Sequence, residues 1–328
     1  MLNIGILGCG RIGQVHAASL DRISGARLVA VADAVPDAAS RLADRSGARA
    51  MEANELIASA DIDAVVICTP TDTHFDLIHA AATAGKAIFC EKPVDLDAAR
   101  IRICAEAVAR AGVPFMTGFN RRFDPSFAAL RRRLLEGRIG SPELVTILSR
   151  DPAPPPISYI ATSGGLFRDM MIHDLDMTRF LLGEEPVSVH ATGSALVDPA
   201  IGDVGDVDTA AVLLTTATGR IAQISCSRRA TYGYDQRIEV HGAKGMLRAG
   251  NRLETTVEVA DDGGFCRDPA MSFFLERYAE AYLAEMRVFV EAVTQGTAPD
   301  PGMEDGLRAQ ILADACDRAW RERRVVEI

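Results

Sequence analysis

The stretch NIGILGCGRIG, residues 3–13, limits the fold of this 328-residue chain more than any other. NIGILG is a short, β-branched apolar run of strand type, and a helix-forming segment, GQVHAASLDRI, follows it almost at once. The turn between them carries Gly8, Gly10 and Gly13 in a G-x-G-x-x-G frame, with Arg11 and Ile12 inside it. In the strand–turn–helix setting each glycine has its own reason. The first makes the turn, the second lets backbone approach a pyrophosphate, and the third allows close contact between helix and strand. The opened helix then offers free N–H groups and the positive end of its dipole to phosphates.

The same alternation continues. RLVAVAD, DAVVICTP, KAIFCEKP and PFMTGF are further buried-strand runs, with helical stretches between them that often end in Gly. Strands and helices at this spacing imply right-handed crossovers and a doubly wound parallel sheet, an α/β Rossmann domain over residues 1–119. Asp33 ends the second strand, twenty positions after Gly13. An acid there accepts hydrogen bonds from ribose hydroxyls and repels a 2′-phosphate, and Ala34, Val35 and Pro36 supply no cation for one, so NAD is expected rather than NADP. In such a sheet the carboxyl ends of the strands line the ligand crevice. Thr69, Pro70 and His74 of CTPTDTH are therefore expected beside the cofactor, with a helix cap by Thr71 or Asp72 and a structural His74 as the alternatives. Glu91, Lys92 and Pro93 form EKP at the end of another strand, where Lys92 is either a crevice lysine or a surface one.

Near residue 120 the pattern changes. After the amphipathic PSFAALRRRLLEG, the strand ELVTILSR and the Pro-rich DPAPPP, strand signals follow one another: VSVHATGSA, VDTAAVLLTT, GRIAQISCSR, DQRIEVHG and LETTVEVA. Consecutive strands with short turns mean a largely antiparallel sheet, so residues 120–328 read as an α+β domain, closed by helices near 272–295 and 303–322. The acidic balance, 45 Asp+Glu against 35 Lys+Arg, argues against nucleic acid or an anionic membrane as partner. No apolar run reaches membrane-spanning length, and the first residues lack a signal-peptide pattern. Seven scattered cysteines without a CxxC suit a reducing compartment, so a cytoplasmic location is expected.

Residues 164–186, GGLFRDMMIHDLDMTRFLLGEEP, read as a single mostly apolar helix with Asp169 and His173 four apart on one stripe. A metal site, a satisfied structural pair and part of a proton relay all compete to explain them. The metal reading lacks ligands, since no HExxH or Cys/His cluster completes the set, and none is expected.

The order GxGxxG, TPTDTH, EKP and GG…D…HD resembles the Gfo/Idh/MocA oxidoreductases over essentially the whole chain. SRDPAPPP, the 164–186 stretch, YGYDQRIEVHG and ERYAEAYLAEM are most similar to the inositol 2-dehydrogenases within that family. The resemblance implies a Rossmann domain followed by a domain built on a large open sheet. It implies Lys92, Asp169 and His173 as the catalytic triad, and Tyr232 lining the substrate pocket with Tyr234 as the competing choice. Asn120, Arg121 and Arg122 fall near cofactor or substrate. The implied reaction is NAD-dependent oxidation of a cyclic polyol, with His173 as base, Asp169 orienting it and Lys92 polarising the oxygen. Large open sheets of this kind pack face to face, implying a homotetramer. A dehydrogenase of another sugar, sugar acid or inositol isomer, a non-catalytic dinucleotide sensor and an NAD-dependent glycoside hydrolase are the alternatives.

Overall fold

Apolar runs from the first part of the chain form a six-stranded sheet in the computed structural model, which describes residues 1–328. Its strands are β1 (Leu2–Leu7), β2 (Ala26–Ala32), β3 (Arg49–Ala50), β4 (Ala64–Ile67), β5 (Ala87–Glu91) and β6 (Phe115–Gly118). All pairs are parallel, in the order β3-β2-β1-β4-β5-β6, so the strand order reverses between β1 and β4. Helices cover both faces, which is why β4 can be AVVI with every side chain buried rather than alternating. The expected Rossmann fold is present.

This unit comprises Met1–Phe123 together with Ala279–Gln310. The sequence places everything beyond residue 119 in the second domain; the structure returns the helix Ala279–Gln295 to the first. Met286, Phe289 and Val290 recur at helical spacing and share one apolar core with Ile4, Ile6, Val66 and Phe89, and the Phe289 ring meets Phe89 edge-on at 5.7 Å. The same unit is tied by Arg122, whose guanidinium pairs with Asp300 at 3.2 Å and Asp305 at 2.8 Å. No local signal marks such a return, because an apolar stripe does not say which surface it will cover.

The second unit comprises Asp124–Tyr278 and Ile311–Ile328. It contains β7 (Pro142–Arg150), β8 (Pro186–Ser194), β9 (Thr209–Thr216), β10 (Ile221–Ser227), β11 (Asp235–Gly242) and β12 (Gly245–Ala249). A small ribbon of β13 (Glu258–Asp261) and β14 (Gly264–Arg267) follows, and β15 (Val326–Glu327) closes the chain. The large sheet runs β12-β11-β7-β10-β9-β8-β15 and is antiparallel except where β7 meets β10. One face alternates into the core through Val145, Ile147, Val212, Leu214, Ala222 and Ile224. The other face keeps Leu144, Leu213, Ile221 and Met246 exposed.

A buried ion pair anchors the start of this unit. Asp124 caps the helix Pro125–Leu135 by accepting from the Ser126 and Phe127 amides at 3.0 and 3.1 Å, and Arg277 donates to its other oxygen. Both side chains are essentially inaccessible to water. Truncating one member leaves the other's charge buried and unpaired. Arg277→Met is therefore expected to lower unfolding stability by about 3–5 kcal/mol in a denaturant titration, whereas the double variant Arg277→Met/Asp124→Ser is expected to lose less than Arg277→Met alone.

Candidate active site

In the first unit the glycine turn has the geometry its sequence implies. Gly8 has φ +95°, and a Cβ there would sit 2.6 Å from the Cys68 carbonyl group. A Cβ on Gly13 would lie 1.9 Å from the Gly8 oxygen, so the helix Arg11–Leu20 can touch β1 only through a glycine. Gly10 differs, since nothing of the protein lies within 4 Å of its Cβ position. Packing does not require a glycine there; an outside group approaching the backbone does. No side chain caps the helix that Gly10 opens, and its N-terminal N–H groups are left for an anion. Asp33 accepts from the Cys9 amide at 2.6 Å and from the Val35 amide at 2.8 Å. One bond per carboxylate oxygen leaves each able to accept again, as a ribose diol requires. Burial and the Asp33 charge raise the Cys9 thiol to about 11, so it stays protonated beside the turn. These residues fit a dinucleotide.

The next loops of that edge are held by His74, which is almost wholly buried. Its Nδ1 lies 2.9 Å from the Pro93 carbonyl and its Nε2 2.9 Å from the Thr69 carbonyl. Burial pushes the imidazole pKa below its usual value, although the two carbonyls pull the other way. His74 thus sits between the loop after β4, with Thr69 and Pro70, and the loop that carries Lys92, one ring nitrogen facing a carbonyl of each. Lys92 follows Glu91 at the end of β5 and is half-buried, joined to Pro93 by a cis peptide bond. Asn120 opens the 3-10 turn Asn120–Phe123 after β6. It is 3% exposed and its Oδ1 has no hydrogen-bond partner in the protein. An orphaned buried acceptor at the carboxyl end of a parallel strand is where a ligand donor belongs.

In the second unit, the stretch that reads as one helix is two, Gly165–Asp169 and Ile172–Leu182. The Met171 amide bonds to the Leu166 carbonyl at 2.9 Å, five residues back, so the chain makes one wide turn at Met170 and Met171. Asp169 and His173 therefore lie on either side of a break instead of one above the other on a regular helix. The Gly pair has a local cause: Gly164 and Gly165 have φ of 87° and 84°, and a Cβ on Gly165 would come within 2.7 Å of an Asp206 oxygen. That oxygen accepts from the Leu166 amide at 3.0 Å. Asp169 is fixed by two residues that no sequence motif singles out. The Tyr159 hydroxyl donates to it at 2.9 Å, and the fully buried Arg228 donates at 3.3 Å. Burial, helped by the nearby Asp169 charge, raises the Asp206 carboxyl against the pull of Arg228 and of its amide bond. His173 is half-buried at the start of the second helix.

The two candidate tyrosines part company. Tyr232 is 47% exposed; its hydroxyl accepts from Arg150 at 2.9 Å and donates to Asp235 at 2.8 Å. Asp235 also takes bonds from Arg237 and Asn251. Tyr234 is buried and packs edge-on against Tyr278 at 6.0 Å. The structure thus makes Tyr234 a core residue and leaves Tyr232 exposed in the turn between β10 and β11. All seven cysteines are free, and no helix is long and apolar enough to cross a membrane.

Known proteins share this arrangement over the whole chain. The oxidoreductase family with an NAD-binding Rossmann fold matches residues 2–119, and the GFO/IDH/MocA C-terminal domain matches residues 127–248. An inositol 2-dehydrogenase of Rhizobium meliloti (strain 1021) is 55% identical over 327 residues, covering 100% of this chain and 99% of its own. The crystal structure of a myo-inositol dehydrogenase from Corynebacterium glutamicum superposes with a TM-score of 0.96 at 44% identity, over 100% of this chain and 99% of that one. A scyllo-inositol dehydrogenase from Lactobacillus casei, solved with NAD(H) and scyllo-inositol bound, gives 0.94 at 34% identity, over 100% and 99%. With both of its domains matched in order and relatives aligned from end to end, this chain belongs to the GFO/IDH/MocA family of NAD-binding oxidoreductases.

Proposed function

We propose that this protein is an NAD-dependent inositol 2-dehydrogenase that oxidises one ring hydroxyl of myo-inositol to the 2-keto compound. The observation that carries the reading is full-length likeness to inositol dehydrogenases in a chain that keeps Lys92 at the carboxyl edge of β5. A sensor of the same fold would have no use for that lysine.

NAD would be held by Gly8, Gly10, Arg11, Ile12 and Gly13 at the phosphates and by Asp33 at a ribose, with Thr69, Pro70 and Glu91 along the same strand edge. When bound, it supplies the acceptor for the hydride leaving the carbinol carbon. The protein's own task is then to remove the hydroxyl proton. His173 takes it as general base, its reference pKa of about 6.5 suiting that task. Asp169, fixed by Tyr159 and Arg228, offsets the charge that develops on its partner. Lys92 polarises the substrate oxygen, and Asn120 and Tyr232 contribute hydrogen bonds to the ring hydroxyls.

The assembly we propose is a homotetramer in the cytoplasm. Leu144, Leu213, Ile221 and Met246 stand out on one uncovered sheet face, apolar surface that a second copy would bury, and the free cysteines suit a reducing compartment. Leu213→Lys with Ile221→Glu is expected to yield smaller species in light scattering, while the wild type runs as a tetramer.

A panel of myo-inositol, scyllo-inositol and glucose with NAD and NADP, followed by absorbance of the reduced cofactor, tests the function. NADH formation with myo-inositol is expected to exceed the rest, and no turnover of any cyclic polyol would end the proposal. Lys92→Ala and His173→Ala are expected to lower kcat by about 10²–10⁴-fold, the range for general acid–base help, without altering NAD affinity in a fluorescence titration. Asp33→Ala removes charged hydrogen bonds of about 1.5–3 kcal/mol and is expected to raise KM for NAD roughly 10- to 100-fold, narrowing the margin over NADP.

A further inference from the structure

Behind the EKP loop, in the first unit, lies a buried cluster of which the proposed reaction uses only Glu91. His16 on the helix Arg11–Leu20, Glu91 at the end of β5 and Glu285 on the helix Ala279–Gln295 bring one ligand-type atom each within 4.8 Å of one another. His16 Nε2 lies 2.7 Å from Glu91 Oε1, the length of a charge-assisted hydrogen bond. Glu285 is 0% exposed, and neither of its oxygens has a partner in the protein. Aromatic rings wall the cluster, with Phe89 4.9 Å and Tyr282 5.8 Å from the His16 ring. Gly118 leaves room for the Glu91 carboxylate, which a Cβ there would meet at 3.0 Å.

We propose that Glu285 is held as a neutral carboxylic acid against the His16–Glu91 pair and acts as a positioning residue. It keeps the cluster's single negative charge on Glu91, bonded to His16, and so fixes the end of β5 from which Lys92 projects. Two ionised carboxyls this close would repel each other by on the order of a hundredfold in ionisation constant, even at an effective dielectric of about 20. A carboxylate without hydrogen bonds also meets the full penalty of burying a charge, and the neutral acid meets only the smaller cost of an unbonded polar group. The surroundings agree. Burial first, then the Glu91 charge, drives the Glu285 carboxyl well above its usual range. The other titratable groups near it are His16, Tyr282 and the Cys68 thiol, which burial and the Glu91 charge keep protonated. The turn Asn120–Phe123, which also packs on the Glu285 helix, brings the buried Arg121 and Arg122, the latter already paired with Asp300 and Asp305.

The effect on Lys92 rests on the dehydrogenase reading; the protonation state does not, so the test separates the two. An infrared spectrum at neutral pH is expected to show the carbonyl stretch of a buried carboxylic acid that disappears in Glu285→Gln. In the pH direction, the folded protein keeps a proton that the unfolded chain releases above about pH 4.3. Raising the pH therefore favours unfolding of the wild type by up to tenfold in the unfolding constant per unit, until Glu285 itself ionises. Glu285→Gln has no such proton, so its stability relative to the wild type is expected to rise from pH 5 to pH 8. A missing band, a stability of Glu285→Gln relative to the wild type that stays level or falls from pH 5 to pH 8, or a stoichiometric metal ion in the purified protein that Glu285→Gln abolishes would overturn the assignment. For the positioning role, Glu285→Leu is expected to lower kcat roughly tenfold with KM for NAD unchanged, and Glu285→Gln to restore most of it. Native kcat in a folded Glu285→Leu variant would refute that role while leaving the protonation state intact.

Discussion

Everything at the nucleotide edge depends on two backbone contacts that only glycine permits. Gly13 lets the first helix rest on the Gly8 carbonyl, and Gly8 lets β1 end against the Cys68–Thr69 peptide. Add a methyl group at either place and helix or neighbouring strand must shift. Because the sheet is wholly parallel and reverses its order between β1 and β4, those contacts fix more than the turn. They set the level at which Asp33, Thr69, Lys92 and Asn120 emerge, each from the carboxyl end of its own strand.

This is also why the first unit was so legible. Its motifs are local: a strand, a turn of special residues and a helix, each recognisable within a dozen positions. Asp33, Thr69 and Lys92 could be placed by counting along strands, since every strand presents its end to the same crevice. The second unit resisted in a particular way. Its strands announced themselves by alternation, yet the parallel contact of β7 with β10 joins segments about seventy positions apart, which no short-range pattern encodes. The helix Ala279–Gln295 has a clear apolar stripe, and the stripe does not name its partner, so its return to the first core was not readable. The break at Met170 and Met171 leaves no Pro or Gly at the break itself. It comes from backbone bonds around Leu166, whose amide is held by an acid forty positions away.

Arg228, Tyr159, His16 and Glu285 were missed for a related reason. In sequence each is one polar residue among others. What marks them is burial together with the identity of the neighbour, and both are tertiary facts. A glutamate on the buried stripe of an amphipathic helix was the one available hint, since Glu is rarely placed fully inside without a purpose.

The hydrogen-bond state of the buried polar groups then separates scaffold from machinery. Asp208 is inaccessible and takes bonds from the amides of Leu196, Val197 and Asp198 and from the Thr209 hydroxyl. Burial would raise its carboxyl, yet those donors outweigh it and lower the pKa, the mark of an acid whose charge is fully answered inside the fold. His74 is scaffold too, set between the Pro93 and Thr69 carbonyls, one of which accepts from its single N–H when the ring is neutral. Asn120 Oδ1 and the Glu285 carboxyl differ, for they are buried without a partner in the chain. A satisfied group needs nothing more to explain it. An unsatisfied one asks for either a ligand or a proton, and the two cases differ by location: Asn120 stands at the open carboxyl edge of the sheet, where a ligand can arrive, while Glu285 stands behind it among aromatic rings, where a neutral acid is the cheaper answer.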